Sequence, residues 1–299
     1  MRVLVFGAGA IGSLLGGLLS ARHEVLLIGR KAHVDAIREH GLRVSGKTVR
    51  LAKPDAATRV PGGAEADLVV VAVKAYDTSS AMTHLRGLAK SATFLTLQNG
   101  LGNADVIGRT ALRVVAGTTA HGVTFVGPGE IRHAGVGETV IGPWRGVDEA
   151  DLVRLRDVLD DAGIPTRVTS DVRTELWAKV VVNASINPLA ALAGVPNGRL
   201  VRDKRLLATV EAVCREAAAV ARAEGVAIDA AETVHRTTLI ARRTAANRSS
   251  MLQDLDLGRR TEIDAITGAI LRAADRHGLA TPLNRALHAL VKARDSAAA

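Results

Sequence analysis

The stretch Gly7-Ala8-Gly9-Ala10-Ile11-Gly12 constrains this chain more than any other. Before it, Arg2 to Phe6 reads as a short buried strand. After it, Ser13 to Ala21 reads as a helix and Glu24 to Ile28 as a second strand. Strand, glycine turn, helix, strand is the opening unit of a dinucleotide-binding fold. Each glycine has its own reason there. Gly7 makes the tight turn, Gly9 lets a pyrophosphate approach the backbone, and Gly12 lets helix and strand pack closely. The phosphates then meet the helix N-terminus, where free N–H groups and the helix dipole favour negative charge. A plain tight turn accounts for glycines, but not for this strand and helix on either side of them.

The end of the second strand selects the nucleotide. An NAD site carries Asp or Glu there, about 20 residues past the glycines, for the ribose hydroxyls. This chain has Gly29-Arg30-Lys31 instead. Two cations without a carboxylate favour the 2′-phosphate of NADP(H), the alternative being that both are solvated surface charges. Further strands are predicted at Asp67 to Val73, ending in Lys74, and at Phe94 to Leu97, ending in Gln98-Asn99-Gly100. Val114-Val115 leads into Gly117-Thr118-Thr119-Ala120-His121-Gly122. Ligands of doubly wound sheets collect at the carboxyl ends of strands. That rule makes Lys74 a candidate for a phosphate and Asn99 one for the nicotinamide or its ribose. His121 has no carboxylate paired with it in sequence and reads as a bystander. Residues 123–142 read as a hairpin on the sheet edge, 148–162 as an amphipathic helix and 165–169 as a last strand.

The domain change is expected near residue 168, giving an α/β N-terminal domain over 1–167 and an all-α domain over 168–299. Ser170-Asp171 is expected to cap the first helix of the second domain. That helix spans Glu175 to Pro188, read ELWAKVVVNASINP. Lys179, Asn183 and Asn187 recur every four residues, which puts them on one face of a helix. Val180, Val181, Val182, Ala184 and Ile186 between them ask for burial. An amine and two amides in such company cost free energy unless something satisfies them. Two readings stay open on this ground: a solvated stripe, or a wall aimed at a small polar anion. Later helices are predicted at 203–224, 229–246, 261–277 and 283–292, with an interruption at 194–198. Thr261 with Asp264 fits a capping box, which would place Glu262 in the first turn of its helix.

Composition narrows the function classes. Aromatic residues make up 2% of 299 residues, too few for a surface on which bases stack. The net charge of +9 is scattered rather than clustered, which argues against nucleic acid and for small anionic ligands. Cys214 is the single cysteine, so neither an intrachain disulfide nor a cysteine metal site is available, and no metal is expected. The apolar run after Arg2 imitates a signal peptide, but its glycines and the strand that follows mark folded structure; a cytoplasmic protein with no membrane partner is expected. No run of about 18 uninterrupted apolar residues occurs.

Taken together, GAGAIG, Arg30, VKAYD, LQNGLG, GTTAHG, ELWAKVVVNASINPL, PNGRL and SSMLQDLDLGRRTEID resemble the ketopantoate reductase family, in its order and across nearly the whole chain. The resemblance implies a Rossmann dinucleotide-binding domain followed by an all-helical domain. It implies NADPH-dependent reduction of 2-dehydropantoate to (R)-pantoate on the way to pantothenate and coenzyme A. It implies Lys179 as the catalytic lysine and Glu262 as a catalytic glutamate that contacts both substrate and cofactor. Asn183, Asn187, Ser250 and Asn99 become substrate-binding residues. Gly7, Ala8, Gly9, Ala10, Ile11, Gly12, Arg30, Lys74, Asn99, Gly122 and Glu262 become cofactor-binding residues. A reductase of another branched 2-oxo acid, or a non-catalytic NADP-binding sensor, would keep the same scaffold. Monomer and homodimer both stay open.

Overall fold

The computed structural model describes residues 1–297. The chain clusters into two compact units, residues 1–98 with 103–172, and residues 99–102 with those from 173 onward. The first unit runs β1 (Arg2–Phe6), α1 (Ala10–Leu19), β2 (Glu24–Ile28), α2 (Lys31–His40), β3 (Leu42–Gly46), β4 (Arg50–Ala52), β5 (Asp55–Ala57), β6 (Leu68–Val71), α3 (Thr78–His84), β7 (Thr93–Thr96) and α4 (Asn103–Gly108). It continues with β8 (Arg113–Thr119), β9 (Gly122–Gly127), β10 (Glu130–Gly135), β11 (Thr139–Arg145), α5 (Glu149–Asp161) and β12 (Thr166–Val168).

Eight strands form the main sheet in the order β12-β11-β8-β7-β6-β1-β2-β5. From β5 to β8 neighbouring strands are parallel, and β11 then runs antiparallel to β8. The central strands read as continuous apolar runs because both faces are covered: Val3, Leu4, Val5, Val69, Val71, Phe94 and Leu95 are all buried. β1 lies between β2 and β6, so chain order reverses direction at its carboxyl end. Crevices of this kind are where open α/β sheets bind ligands.

A second sheet, in the order β4-β3-β10-β9, covers the other side of α1. Paired glycines record this sandwiching. A Cβ on Gly16 would come within 2.4 Å of Leu27 on the main sheet, and one on Gly17 within 3.0 Å of Leu42 on the second. A helix covered on both flanks has no polar face to show, which explains the apolar run that imitates a signal peptide. Two sequence expectations are corrected here. The β9–β10 hairpin within residues 123–142 forms, but on the second sheet, while residues 139–145 form β11 inside the main sheet. Strands β3, β4 and β5 were not foreseen; two of them have only three residues each, too short to show a period of two.

The second unit is helical: α6 (Val172–Ala193), α7 (Asn197–Arg202), α8 (Lys204–Ala223), α9 (Ala230–Arg243), α10 (Ser250–Asp256), α11 (Thr267–Arg276) and α12 (Pro282–Ala297). Asp203 and Asp229 cap α8 and α9 by accepting backbone N–H groups. α6 is the core helix. Trp177, Val180, Val181 and Ala184 enter one apolar cluster, and Val182, Ile186, Leu189 and Ala190 enter another. It continues past Pro188, where the sequence reading stopped it. Burial of Leu189, Ala190 and Ala191 offsets the roughly 3 kcal/mol that an interior proline costs. The expected interruption at 194–198 is present at 194–196, after which α7 begins, and α12 is longer than expected. Among the described residues α6 is the one helix long and apolar enough to cross a membrane, and 72% of its apolar window is buried by packing.

The glycine turn gives a paired test. A Cβ on Gly12 would lie 2.1 Å from the Gly7 carbonyl oxygen, whereas one on Gly9 meets nothing within 4 Å. Gly12→Ala should therefore lose about 1–3 kcal/mol of stability in chemical denaturation. Gly9→Ala should keep wild-type stability and, on the expectation that a pyrophosphate approaches this turn, weaken NADPH binding roughly tenfold or more.

Candidate active site

The nucleotide side of the first unit is built where β1 hands over to α1. Gly7 has φ +109°, a conformation that side chains with a Cβ rarely adopt. Gly7 and Ala8 both donate their backbone N–H to the Ile28 carbonyl, at 3.0 and 2.8 Å, which fixes the turn against β2. Gly9 is the N-cap of α1, with no side chain to occupy its free N–H groups. Ala10 and Ile11 open the helix, and Gly12 packs on Gly7 and Ala72. This open cradle fits a pyrophosphate.

Arg30 follows β2 and Gly29, stands exposed as the N-cap of α2, and has no acidic partner among the described residues. Lys31 is bound to Asp35 at 2.7 Å, so the two cations of the sequence reading differ in availability. Lys74 is half-buried after β6, at the start of a short 3-10 turn. Gly122 opens β9 opposite Gly135. His121, buried beside it, lies 3.0 Å from the His133 ring, and burial followed by repulsion from His133 lowers its pKa to about 4. At neutral pH this imidazole is therefore neutral, not an imidazolium acid.

One residue here escaped the sequence reading. Gln98 donates to the Val73 carbonyl at 2.7 Å and to the Thr78 hydroxyl at 2.8 Å, and accepts from the Thr96 hydroxyl at 2.9 Å. It ties the carboxyl ends of β6 and β7 together. Its place next to Asn99 at a strand end was the available signal.

The second unit gathers the polar residues of the helical half. α6 carries Lys179, Asn183 and Asn187 on one stripe, about 12 Å from end to end at 1.5 Å per residue. Lys179 and Asn183 are half-buried and Asn187 is 8% exposed, so the stripe is not a solvated face. Burial dominates the lysine: it lowers the Lys179 pKa to about 8, while the Glu262 carboxylate acts in the opposite direction. Glu262 is itself 8% exposed and accepts from Asn99 Nδ2 at 3.3 Å.

Asn99 is held there by its neighbours. Gly100, at φ +86°, leaves no room for a Cβ against Ala265, and Leu101 donates its N–H to the Ala265 carbonyl at 3.0 Å. Ser250 is the first residue of α10 and is exposed. The preceding Ser249 is buried and spends its hydroxyl on the Leu252 N–H, leaving Ser250 as the serine with a hydroxyl to offer.

The capping-box expectation is corrected. Residues 261–266 form a turn and α11 begins only at Thr267, so Glu262 precedes the helix instead of lying in its first turn. The Thr261 hydroxyl donates to Asp295, and Asp264 is engaged by Lys292 and His288. With both members of the box bound to α12, neither is left to cap α11.

The chain matches two family models, "Ketopantoate reductase PanE/ApbA" over residues 3–146 and "Ketopantoate reductase PanE/ApbA C terminal" over residues 171–295. A curated 2-dehydropantoate 2-reductase from Halobacterium salinarum is 43% identical over 298 residues, covering 98% of each chain. One from Pyrococcus abyssi is 38% identical, covering 99% of this chain and 98% of its own. Among solved structures, a PanE/ApbA family ketopantoate reductase from Ralstonia eutropha is 40% identical with a TM-score of 0.90, covering 100% of this chain and 99% of its own. A D-mandelate dehydrogenase in ternary complex with NADH and anilino(oxo)acetate is 29% identical with a TM-score of 0.95, at the same coverage.

The lowered Lys179 pKa fixes a pH signature. An amine that gives up a proton during carbonyl reduction must be charged, which holds below its pKa and fails above it. The kcat/KM for reduction should fall on the alkaline side with an apparent pKa of about 8, and the reverse oxidation should rise over the same interval. A reduction profile flat to pH 10 would remove Lys179 from the proton-transfer role.

Proposed function

The chain belongs to the ketopantoate reductase family, and from that premise we propose that it catalyses the NADPH-dependent reduction of 2-dehydropantoate to (R)-pantoate, in the supply of pantothenate and coenzyme A. The observation that carries this reading is the α6 stripe: a desolvated amine with a pKa of about 8, opposed by a buried carboxylate and followed by two amides on the same face.

A nicotinamide cofactor, when bound, would supply a hydride to the C2 carbonyl carbon of the substrate. Negative charge then develops on the carbonyl oxygen. Lys179, as an ammonium, stabilises that charge and donates the proton that completes the alcohol. A positioned general acid contributes about 10²–10⁴ in rate, and one preorganised donor to an oxyanion about 10²–10³. Asn183 and Asn187 hold the substrate's hydroxyl and carboxylate along the same helix face. Ser250 and Glu262 orient its far end and the nicotinamide ribose, with Asn99 sharing the Glu262 carboxylate. Gly7 to Gly12 would hold the pyrophosphate, Lys74 would meet a phosphate, Gly122 would border the nucleotide, and Arg30 would read the 2′-phosphate. In this reading the enzyme works in the cytoplasm on a dissolved 2-oxo acid, without nucleic acid or membrane. Monomer and homodimer suit it equally.

The D-mandelate dehydrogenase likeness favours one second reading, reduction of a different 2-oxo acid on the same scaffold. Initial rates of NADPH oxidation with 2-dehydropantoate and with 2-oxoisovalerate, which lacks the 4-hydroxyl, separate the two. A site built for that hydroxyl rejects the analogue by about 10⁴; comparable kcat/KM values would favour the second reading. Arg30→Ala should lower the NADPH-to-NADH efficiency ratio by at least about tenfold, through loss of a charge-assisted contact. An unchanged ratio would sink the role of Arg30.

A further inference from the structure

Glu262 sits in a stretch, residues 261–266, that belongs to no helix or strand. Its internal backbone bonds are those of a turn: the N–H groups of Ala265 and Ile266 both donate to the Glu262 carbonyl, at 3.1 Å. Such a turn needs restraint from outside to hold a buried carboxylate in place. α12 supplies that restraint on both sides of Glu262. One residue before it, Thr261 donates its backbone N–H to Asp295 Oδ1 at 3.2 Å and its hydroxyl to Asp295 Oδ2 at 2.9 Å. Two residues after it, Asp264 accepts from Lys292 Nζ at 2.9 Å and from His288 Nε2 at 3.0 Å.

Arg260 reaches the Asp264 carboxylate at 3.4 Å, and Arg272 donates to the Asp264 backbone carbonyl at 3.3 Å. Burial raises the Asp264 pKa, but the bonds from Lys292 and His288 outweigh it and leave the carboxyl below its usual range. Thr261 and Ile263, which flank Glu262, are 1% and 0% exposed, whereas the Asp264 and Lys292 side chains are 39% and 38% exposed, so the Asp264 end of the grip is open to water.

We propose that Asp295 and Lys292 are positioning residues for the Glu262 carboxylate: α12 grips the turn at Thr261 and at Asp264 and thereby keeps Glu262 set against Asn99 and the Lys179 side of α6. Both act on Glu262 through the turn, by way of Thr261 and Asp264. Their effect reaches the chemistry through the proton affinity of Lys179, where Glu262 is the charged group that opposes burial. The functional meaning of this device rests on Lys179 as proton donor; the geometry of the grip does not.

The test is a titration of the Lys179 Nζ by NMR in the full-length, ligand-free protein, with turnover of 2-dehydropantoate measured in parallel. Wild type should titrate near 8. Glu262→Gln should lower that value by about one unit or more, since an opposing charge has been lost. Asp295→Ala should lower it by about half that amount or more. Asp295→Asn removes the same charge but keeps a bond to the Thr261 N–H, and should restore most of the wild-type value. If Asp295→Asn falls as far as Asp295→Ala, the effect is the field of the charge and positioning is overturned. If Asp295→Ala leaves the titration unmoved while Glu262→Gln shifts it, α12 is structural only. Should Asp295→Ala fail to fold, Lys292→Met takes its place. Loss of that cation alone would raise the Lys179 pKa, so a fall supports positioning and a rise overturns it. Wild type that titrates as expected but turns over no 2-oxo acid would end the proposed function and leave the grip standing.

Discussion

A primary amine on a helix buried along both flanks is the constraint around which the helical unit is arranged. α6 puts its apolar residues into two separate clusters, and what remains between them is the stripe of Lys179, Asn183 and Asn187. Burial makes the ammonium costly, and a carboxylate makes it tolerable. The balance leaves Lys179 with a pKa of about 8 rather than 10.5. A group that titrates just above neutral pH is charged when it must stabilise an oxyanion and still gives up its proton readily. Removing the carboxylate would lower the pKa of the amine further, and removing the burial would return it toward 10.5.

The nucleotide-binding unit obeys a different constraint, close approach of backbone. Gly7 turns the chain, Gly12 lets the helix meet that turn, and Gly9 faces empty space. The first two are packing glycines whose replacement disturbs the fold. The third is open, so a side chain there would not disturb the packing of the turn. Gly16 and Gly17 extend the same logic, letting α1 settle between two sheets.

Much of this was legible in the sequence because it rests on local pattern. The glycine turn, the apolar central strands and the four-residue spacing on α6 depend on neighbours within a turn or two. What was not legible depends on partners far along the chain. Thr261 and Asp264 look like a capping box because they have the right spacing, and only the distant Asp295, Lys292 and His288 show that both are spent elsewhere. β3, β4 and β5 are short strands whose partners lie on other segments, so no period reveals them. Pro188 costs an interior helix position, yet packing of the residues after it carries the helix on. Ser249 and Ser250 are adjacent and alike in sequence; burial alone tells the cap from the hydroxyl left to offer.

The central claim is that the amine of Lys179 gives the proton and steadies the developing oxyanion, without holding the nucleotide. Single-turnover NADPH oxidation with saturating 2-dehydropantoate, in wild type and in Lys179→Ala, tests it most directly when NADPH affinity is measured on the same samples. The account predicts a loss of about 10³-fold or more in the rate of the variant, with NADPH affinity within a few-fold of wild type. A variant that keeps near-normal turnover, or one that loses NADPH binding together with the rate, would contradict it.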